Sequence, residues 1–389
     1  MYRSYLIVFL GVFLLSACVH TKKLNHSLLK QIRKDSALRS AHWGIAVWDA
    51  EKKDYVVRHQ SDHYFVPASN VKITTLYAAL KYLSDTLPAF DYYRMTDTLF
   101  ITPKGDPTFF DGDFRNHLIF DFFKQEGKPI VILPVKWETE IYGKGWAWDD
   151  YNSAYMPEKS PLPLHHKKTI THIPGEQTVF PSVKELLNDA ATILSDTLGL
   201  AVITSATERV FNKSPQTLYT SSRDSACKKM MFRSDNLIAE QLLLMASNQH
   251  FGSMNETHVI ENLLSDSILQ FPQKPVWIDG SGLSRYNLFT PEDMVYILEK
   301  LENEFGADRI RKIFPTGNEG TLKGYYDDKA GFIYAKTGTL TGQFSLCGYL
   351  RTKKNTHLTF SFMINNHCVK SAQARKVVEK YIDWIWRKY

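Results

Sequence analysis

Three short patterns of hydroxyl, amine and amide side chains occur in one order along the chain: Ser69-Asn70-Val71-Lys72, Ser234-Asp235-Asn236 and Lys336-Thr337-Gly338. A serine at a helix start and a lysine three residues later share one helical face, so the lysine amine can reach the hydroxyl and accept its proton. Each pattern alone is weak, because the same spellings recur elsewhere in the chain. Their order and their predicted places, two at helix starts and one at a strand end, favour a single site for nucleophilic catalysis.

The second lysine bears on the chemistry of the first. An ordinary lysine has a pKa of about 10.4 and is a poor base at neutral pH, but burial and a nearby cation would both lower the pKa of Lys72. We expect Lys336 to be that cation and also to hold a substrate carboxylate. Ser234 is placed to relay protons between the lysines and a leaving amine, and Asn236 is placed to hold a substrate amide.

The backbone beside these patterns is expected to stabilise a tetrahedral intermediate. Attack by Ser69 on a carbonyl carbon leaves a negative charge on the carbonyl oxygen, which the N–H groups of Ser69 and Thr339 would bind. Each such donor typically contributes ~2.7–4 kcal/mol to lowering the barrier. We therefore assign oxyanion and substrate binding to Thr337, Gly338 and Thr339.

Strands and helices must bring the three patterns together. Alternating apolar residues and polar turns predict a hairpin over residues 42–50 and 55–58, and three strands over 331–336, 343–351 and 358–365. Helical signals predict helices over 67–88, around 230–247, from Thr290 onward and over 371–389. These elements predict an α/β (α+β) core in which helices flank an antiparallel sheet.

The middle of the chain differs in amino-acid composition from both ends. Residues 89–215 are rich in proline, glycine and aromatic residues and contain short β-like runs. We therefore predict a β-rich inserted domain over 89–215. The catalytic domain is then discontinuous, over 28–88 and 216–389, and a polar tether over 18–27 precedes it.

The first residues have the layout of a secretory signal peptide. A basic Arg3 precedes an apolar run over residues 5–15, and small residues precede Cys18. The run Leu15-Ser16-Ala17-Cys18 resembles the bacterial lipobox, which implies cleavage after residue 17 and lipidation of Cys18. An uncleaved anchor helix is the alternative. We expect a lipid-anchored protein of the bacterial cell envelope that faces the periplasm. In a cell with two membranes we expect the outer one, because Val19 stands after Cys18 where an aspartate often retains such lipoproteins in the inner membrane.

Composition excludes several other classes of protein. The 389 residues are 44% hydrophobic and 23% charged, as in a globular protein. A net charge of +6 without a basic block argues against a nucleic-acid partner. We find no metal-binding, dinucleotide-binding or phosphate-binding pattern, so we expect no metal and no cofactor. We expect the three cysteines other than Cys18 to be buried without a disulfide.

Further blocks from Trp43 onward accompany the three patterns: Val66-Pro67-Ala68-Ser69-Asn70, Gly105-Asp106-Pro107-Thr108, Gly145-Trp146-Ala147-Trp148-Asp149-Asp150-Tyr151, Ser160-Pro161-Leu162, Asp279-Gly280-Ser281-Gly282-Leu283-Ser284-Arg285, Gly320-Thr321-Leu322 and Leu340-Thr341-Gly342. With them, the sequence resembles the class C low-molecular-mass penicillin-binding proteins of the penicillin-binding protein 4 type. These are D-alanyl-D-alanine carboxypeptidases and endopeptidases. The resemblance implies peptidoglycan stem peptides as substrates and β-lactam antibiotics as inhibitors.

The same resemblance implies a transpeptidase domain, of the β-lactamase-like kind, that is split by an insertion after the Ser69 helix. It implies that Asp149 or Asp150, with Tyr151 or Tyr155, reaches from the insertion toward the stem peptide, and that Arg285 lies near the site. The insertion is shorter than is usual in the family. Thr341 stands where some members have glutamine, which leaves the stem-peptide preference open.

Alternative interpretations stay open beside these assignments. Asp149 and Asp150 could belong to a surface loop held by the neighbouring aromatic residues, and Arg285 could pair with a carboxylate. A serine β-lactamase uses the same three patterns but needs a deacylation route, such as the glutamate and water of class A, and the sequence offers no convincing equivalent. A non-catalytic cell-wall-binding lipoprotein with the same fold is the third reading.

Overall fold

A computed structural model describes residues 25–114, 117–164, 181–265 and 267–389. Its strands are β1 (His42–Asp49), β2 (Asp54–His59), β3 (Thr86–Arg94), β4 (Leu99–Pro103), β5 (Ile130–Ile132), β6 (Val202–Thr204), β7 (Gln216–Ser222), β8 (Ile333–Leu340), β9 (Gln343–Arg351) and β10 (His357–Asn365). Its helices are α1 (25–34), α2 (Lys72–Tyr82), α3 (His117–Glu126), α4 (Val183–Leu198), α5 (Arg223–Arg233), α6 (Asn236–Phe251), α7 (Glu256–Leu263), α8 (Pro291–Phe305), α9 (Ala307–Ile313) and α10 (Ser371–Lys388).

The first sheet has the order β2-β1-β10-β9-β8, and every neighbouring pair is antiparallel. The predicted hairpin and the three predicted C-terminal strands are therefore confirmed. The largest difference from the prediction is the end of β8, which continues to Leu340. Lys336, Thr337 and Gly338 consequently lie inside an edge strand rather than at its end.

Two apolar cores cover the faces of this sheet. One core joins α10 and the N-terminal helix to the sheet, and the other packs α2, α5, α6, α8 and α9 against the opposite face. A capping box formed by Thr290 and Asp293 starts α8, as the Thr-Pro signal predicts. The sheet with helices on both faces confirms the predicted fold class.

The helix after the nucleophile pattern ends earlier than predicted. A short 3-10 turn (Ala68–Val71) leads into α2, which ends at Tyr82 because Leu83 is extended. Pro88, the predicted helix end, lies inside β3 and pairs with Tyr219 of β7. Proline is tolerated there because the register of this pair shifts on both sides of it.

A second sheet has the order β6-β5-β4-β3-β7 and mixes parallel with antiparallel pairs. Its strands begin at Thr86 and end at Ser222, so β3 crosses the predicted boundary at 89 and β7 lies wholly beyond the predicted boundary at 215. The segment also contains α3 and α4, which the β-like texture did not indicate; a capping box at Ser182 starts α4. That this segment is a separate domain stays a prediction.

Three expectations concern the termini and the cysteines. The signal peptide and Cys18 lie outside the described residues, and residues 25–27, assigned to the tether, are already helical. In the described part of the chain, no helix is long and apolar enough to cross a membrane. Cys227 and Cys347 are buried thiols as expected, but Cys368 is exposed because it follows β10 in a surface turn.

Candidate active site

Ser69 lies in the 3-10 turn at the start of α2, half-buried, between two fully buried neighbours. Ala68 has a φ of 50°, a left-handed conformation that is unusual for a residue with a Cβ. Gly282 packs against this strained turn so closely that a Cβ at position 282 would lie 2.0 Å from the Ala68 carbonyl oxygen. Surrounding structure therefore holds the turn that carries the serine in a conformation that Ala68 would not readily adopt alone.

Lys72 is fully buried one helical turn below the serine. Its Nζ lies 3.1 Å from Ser69 Oγ and donates to Asn236 Oδ1 and to the Ser281 carbonyl, both at 2.6 Å. Burial lowers the pKa of Lys72 to about 8, although the carboxylates of Asp279, Glu240 and Asp235 oppose the shift. About a tenth of such an amine is neutral at pH 7, so it can accept a proton from the serine.

Ser234 and Asn236 lie at the junction of two helices. Ser234 ends α5 in a left-handed conformation (φ 58°), and Asp235 caps the start of α6 by accepting from Ile238 N at 3.0 Å. This sharp junction brings Ser234 Oγ to 2.8 Å from Lys336 Nζ. Asn236 Oδ1 faces Lys72, while its Nδ2 donates to the main-chain carbonyl of Tyr155 at 2.7 Å.

Lys336 is fully buried on β8 and also donates to the Thr337 carbonyl at 2.5 Å. Burial holds the pKa of Lys336 well below its ordinary value, and the positive charges of Lys72 and Arg375 lower it further. The two lysines of the predicted pair therefore lie close enough to repel each other. For Lys72 itself, burial rather than a second cation is the main cause of the lowered pKa.

The free edge of β8 faces the serine. The N–H of Ala335 points away from β9 and donates to the Pro315 carbonyl at 3.1 Å. Because N–H direction alternates along a strand, the N–H groups of Thr337 and Thr339 point to the same free edge. A Cβ at Gly338 would lie 3.1 Å from Ser69 N and 2.5 Å from the Pro67 carbonyl oxygen, so only glycine allows this approach.

The insertion contributes a turn beside the site. Asp149 and Asp150 lie in a 3-10 turn, and Asp150 Oδ1 accepts from Tyr155 Oη at 2.5 Å. Tyr155 in turn reaches Asn236 through its main-chain carbonyl. The structure thus brings Tyr155 directly to the site and Asp150 one contact away, whereas Asp149 is exposed on the outer side of the turn.

Arg285 is brought near the insertion rather than to the lysines. Its backbone N–H donates to the Gly145 carbonyl at 3.1 Å, and its side chain is partly exposed. Within the described part of the chain, no carboxylate pairs with its guanidinium, so the alternative of a structural ion pair gains no support.

Sequence reasoning identified the block over residues 279–285 but gave Ser281 no role. Asp279 holds this loop by accepting from Gly282 N (2.9 Å) and Ser284 N (2.6 Å), and it also accepts from Trp146 Nε1 of the insertion at 2.9 Å. The two glycines around Ser281 were the available signal, because a glycine-rich turn is where backbone approaches another group closely. The pattern indicates a turn, but not that a carbonyl of the turn holds the catalytic lysine.

A family model, described as the D-Ala-D-Ala carboxypeptidase 3 (S13) family, matches residues 24–179 and 175–388 of the chain. A D-alanyl-D-alanine carboxypeptidase from Haemophilus influenzae is 28% identical over 161 residues, which are 38% of this chain and 33% of that protein. A penicillin-sensitive carboxypeptidase A from Dictyostelium discoideum is 27% identical over 39% of this chain and 32% of that protein. The chain thus spans about a third of the length of these two curated relatives.

Solved structures share the fold over nearly the whole chain. Penicillin-binding protein 4 from Haemophilus influenzae has a TM-score of 0.73 and 16% identity, over 92% of this chain and 99% of that one. A predatory peptidoglycan endopeptidase from Bdellovibrio bacteriovorus has a TM-score of 0.59 and 16% identity, over 89% and 93%. Its penicillin G-acylated form, in complex with an immunity protein, has a TM-score of 0.58 and 16% identity, over 88% and 91%.

Proposed function

Because the chain belongs to the D-Ala-D-Ala carboxypeptidase 3 (S13) family, we propose that it is a serine DD-peptidase. It hydrolyses D-Ala-D-Ala termini or D-alanyl cross-links of peptidoglycan through an acyl-enzyme on Ser69. The observation that carries the proposal is the buried Lys72 amine, 3.1 Å from Ser69 Oγ and held only by neutral groups. Family membership also confirms the resemblance to class C penicillin-binding proteins.

Acylation begins when Ser69 Oγ attacks the D-alanyl carbonyl carbon and Lys72 Nζ accepts the hydroxyl proton. The N–H groups of Ser69 and Thr339 bind the oxygen that becomes negative. When the C–N bond breaks, the proton that Lys72 accepted passes through Ser234 to the leaving amine, and Lys72 becomes neutral again; Ser234 Oγ also lies 2.8 Å from Lys336 Nζ. The products of this half-reaction are an ester on Ser69 and a free amine.

Water completes the cycle by attacking the ester carbonyl. Lys72 accepts a proton from the water, the same two N–H groups bind the oxyanion, and the proton returns to Ser69 Oγ as the ester C–O bond breaks. The same arrangement therefore serves both half-reactions. A β-lactam that acylates Ser69 keeps its leaving amine tethered, which explains how such a compound inhibits the protein.

Substrate contacts follow from the groups that surround the serine. Lys336 and Thr337 offer donors for the terminal carboxylate. Asn236 Nδ2, which donates to the Tyr155 carbonyl in the free protein, would turn to the substrate backbone when the stem peptide binds. Asp150, Tyr155 and Arg285 face the part of the stem peptide that lies beyond the scissile bond, with Asp149 at the edge of the same turn. Anchoring through lipidated Cys18 would hold this site against peptidoglycan in the cell envelope.

The rival β-lactamase activity needs a carboxylate that can activate water against the acyl-enzyme. Two buried carboxylates lie near Lys72, but backbone N–H groups occupy both oxygens of Glu240 and both oxygens of Asp279. Both carboxylates therefore serve to hold the loop around Ser281. This structural use favours a long-lived penicillin adduct over rapid penicillin hydrolysis.

Labelling of the purified full chain with fluorescent penicillin tests the proposal, with intact-mass analysis over time. We expect a slowly decaying adduct on the parent protein and none on Ser69→Ala. Ser225→Ala is the matched control, because Ser225 and Lys228 have the same spacing as Ser69 and Lys72, and it should label like the parent. No adduct on the parent would favour the binding-module alternative, and rapid turnover of penicillin would favour β-lactamase.

A further inference from the structure

Glu240 is a buried carboxylate that no step of the proposed reaction uses. It lies on α6 one turn after Asn236 and is 1% exposed. Its Oε1 accepts from Ser281 N at 2.7 Å, and its Oε2 accepts from Gly280 N at 3.1 Å. A carboxylate that receives two backbone N–H groups is an anchor for that backbone.

The anchored backbone is the one that holds the catalytic lysine. The Ser281 carbonyl accepts from Lys72 Nζ at 2.6 Å. From the other side, Thr75 Oγ1 on α2 donates to the Gly280 carbonyl at 2.6 Å. Gly280 packs on α6 so closely that a Cβ there would lie 2.6 Å from the Ala239 carbonyl oxygen. The loop is therefore held between α2 and α6, with Glu240 as its charged contact.

We propose that Glu240 is a positioning residue for acylation, a role that rests on the proposed function. Its carboxylate fixes the Ser281 carbonyl, which keeps the Lys72 amine directed at Ser69. Its negative charge also stabilises the ammonium form of Lys72. Glu240 thus affects both where the base lies and the pH at which it becomes neutral.

The charged groups around Glu240 come from every element that packs against it. Asp279 faces it from the anchored loop, Lys159 from the insertion, and Glu256 from α7, while Lys72 is on α2. Burial and the charge of Asp279 raise the pKa of Glu240, whereas Lys159 and the bond from Ser281 lower it.

The test measures the rate of acylation by penicillin against pH for the full chain and for Glu240→Gln. The amide keeps the size of the side chain but turns an N–H donor toward one backbone N–H and removes the charge. We expect the plateau rate to fall, by up to about 100-fold, since small displacements of a catalytic group can cost that much. The acid limb is the part of the curve where the rate rises with pH toward its plateau. We expect the midpoint of this limb to move to lower pH, because neutral Lys72 becomes easier to form.

Two further variants separate this role from a merely structural one. Asp293→Asn is the matched control, because Asp293 is also fully buried and also accepts two backbone N–H groups, from Thr290 at 2.9 Å and Gln273 at 3.0 Å. It should lower the melting temperature and leave the acid limb in place. Thr75→Val loosens the same loop without a change of charge, so it should lower the plateau and leave the limb unmoved.

The outcomes distinguish the inference from the proposed function. Failure of the parent chain to acylate at any pH would contradict both. An acylating parent, with a folded Glu240→Gln that keeps the parent's plateau and limb, would overturn the role of Glu240 alone. A limb that moves equally in Asp293→Asn would also overturn it. If Glu240→Gln does not fold, Glu240→Asp is the test. Its shorter side chain keeps the charge, so it should lower the plateau rate and leave the acid limb in place. A plateau equal to that of the parent would overturn the role of Glu240.

Discussion

The two sides of the candidate site differ in how the chain holds them. On the core side, Lys72 and Lys336 are fully buried, and each Nζ lies within 3.1 Å of its acceptors. On the insertion side, Tyr155 is 51% exposed and contacts Asn236 through its main-chain carbonyl. The two lysines are thus held by buried contacts with one geometry, whereas the insertion presents side chains that can change without disturbing that geometry.

Removal of the buried base should have the largest effect. Lys72→Met leaves the pocket filled but without an amine, and we expect acylation by penicillin to fall about 10³- to 10⁴-fold. Lys329→Met is the control, because Lys329 is also buried but pairs with Asp383 at 2.8 Å, away from Ser69. It should lower the melting temperature and keep the acylation rate. An acylation rate in Lys72→Met equal to that of the parent would contradict the role of the buried lysine as the base.

The close approach of β8 to the serine predicts the next largest effect. Gly338→Ala places a Cβ 2.5 Å from the Pro67 carbonyl oxygen, which must displace the turn that carries Ser69. We expect about a 100-fold loss of acylation rate from such a displacement. Gly112→Ala is the control, since no atom lies within 4 Å of a Cβ at that position. Equal rates for both variants would show that the contact does not position the serine.

The pKa of Lys72 predicts the pH dependence. Since only the neutral amine accepts a proton, acylation should rise about tenfold per pH unit up to about pH 8 and level off above it. A rate that stays flat from pH 6 to pH 9, with chemistry limiting, would exclude Lys72 as the base.

Stability should change with pH in the same region through the same group. Between about pH 8 and the ordinary value of 10.5, the unfolded chain binds more protons at Lys72 than the folded one. This lysine therefore adds to the free energy of unfolding as the pH rises through that range. Chemical denaturation of the parent and of Lys72→Met at several pH values measures this contribution. The midpoint of the parent should rise relative to that of the variant from pH 8 to pH 10.

The insertion side predicts the smallest effect. Tyr155→Phe removes the 2.5 Å bond to Asp150 but keeps the main-chain contact with Asn236. We expect kcat/KM for a stem peptide to fall several-fold, in line with about 1 kcal/mol for one hydrogen bond, with a smaller change for penicillin. Tyr286→Phe, at another exposed tyrosine, should change neither rate. A loss as large as that of Lys72→Met would break the distinction between the two sides.

Residue types made the core side predictable from the sequence. The side chains of a serine, two lysines, a second serine and an asparagine are of types that could carry the proposed chemistry, and the spacing of Ser69 and Lys72 implies a shared helical face. The structure brings these five together. The strands and helices around them were predictable as well, because each has one buried face and therefore a clear hydrophobic period.

Contacts made by the main chain were not predictable. The main-chain carbonyls of Ser281 and Tyr155 reach the site. Every residue type has such a carbonyl, so no sequence pattern identifies them. The anchor Glu240 was missed because a helical glutamate is normally exposed, and only the folded chain shows it buried. Similarly, the early end of α2 at Tyr82 depends on the pairing of β3 with distant β7.

The strand order of the first sheet has a consequence for biosynthesis. β1 pairs with β10, so the edge of the N-terminal hairpin stays open until the last strand has left the ribosome. Ser69 likewise waits for Gly338, which arrives late in the chain. A polypeptide truncated before β8 carries Ser69 and Lys72 but lacks the strand whose Gly338 packs against Ser69 N. Such a fragment should therefore lack the arrangement on which the proposed activity depends.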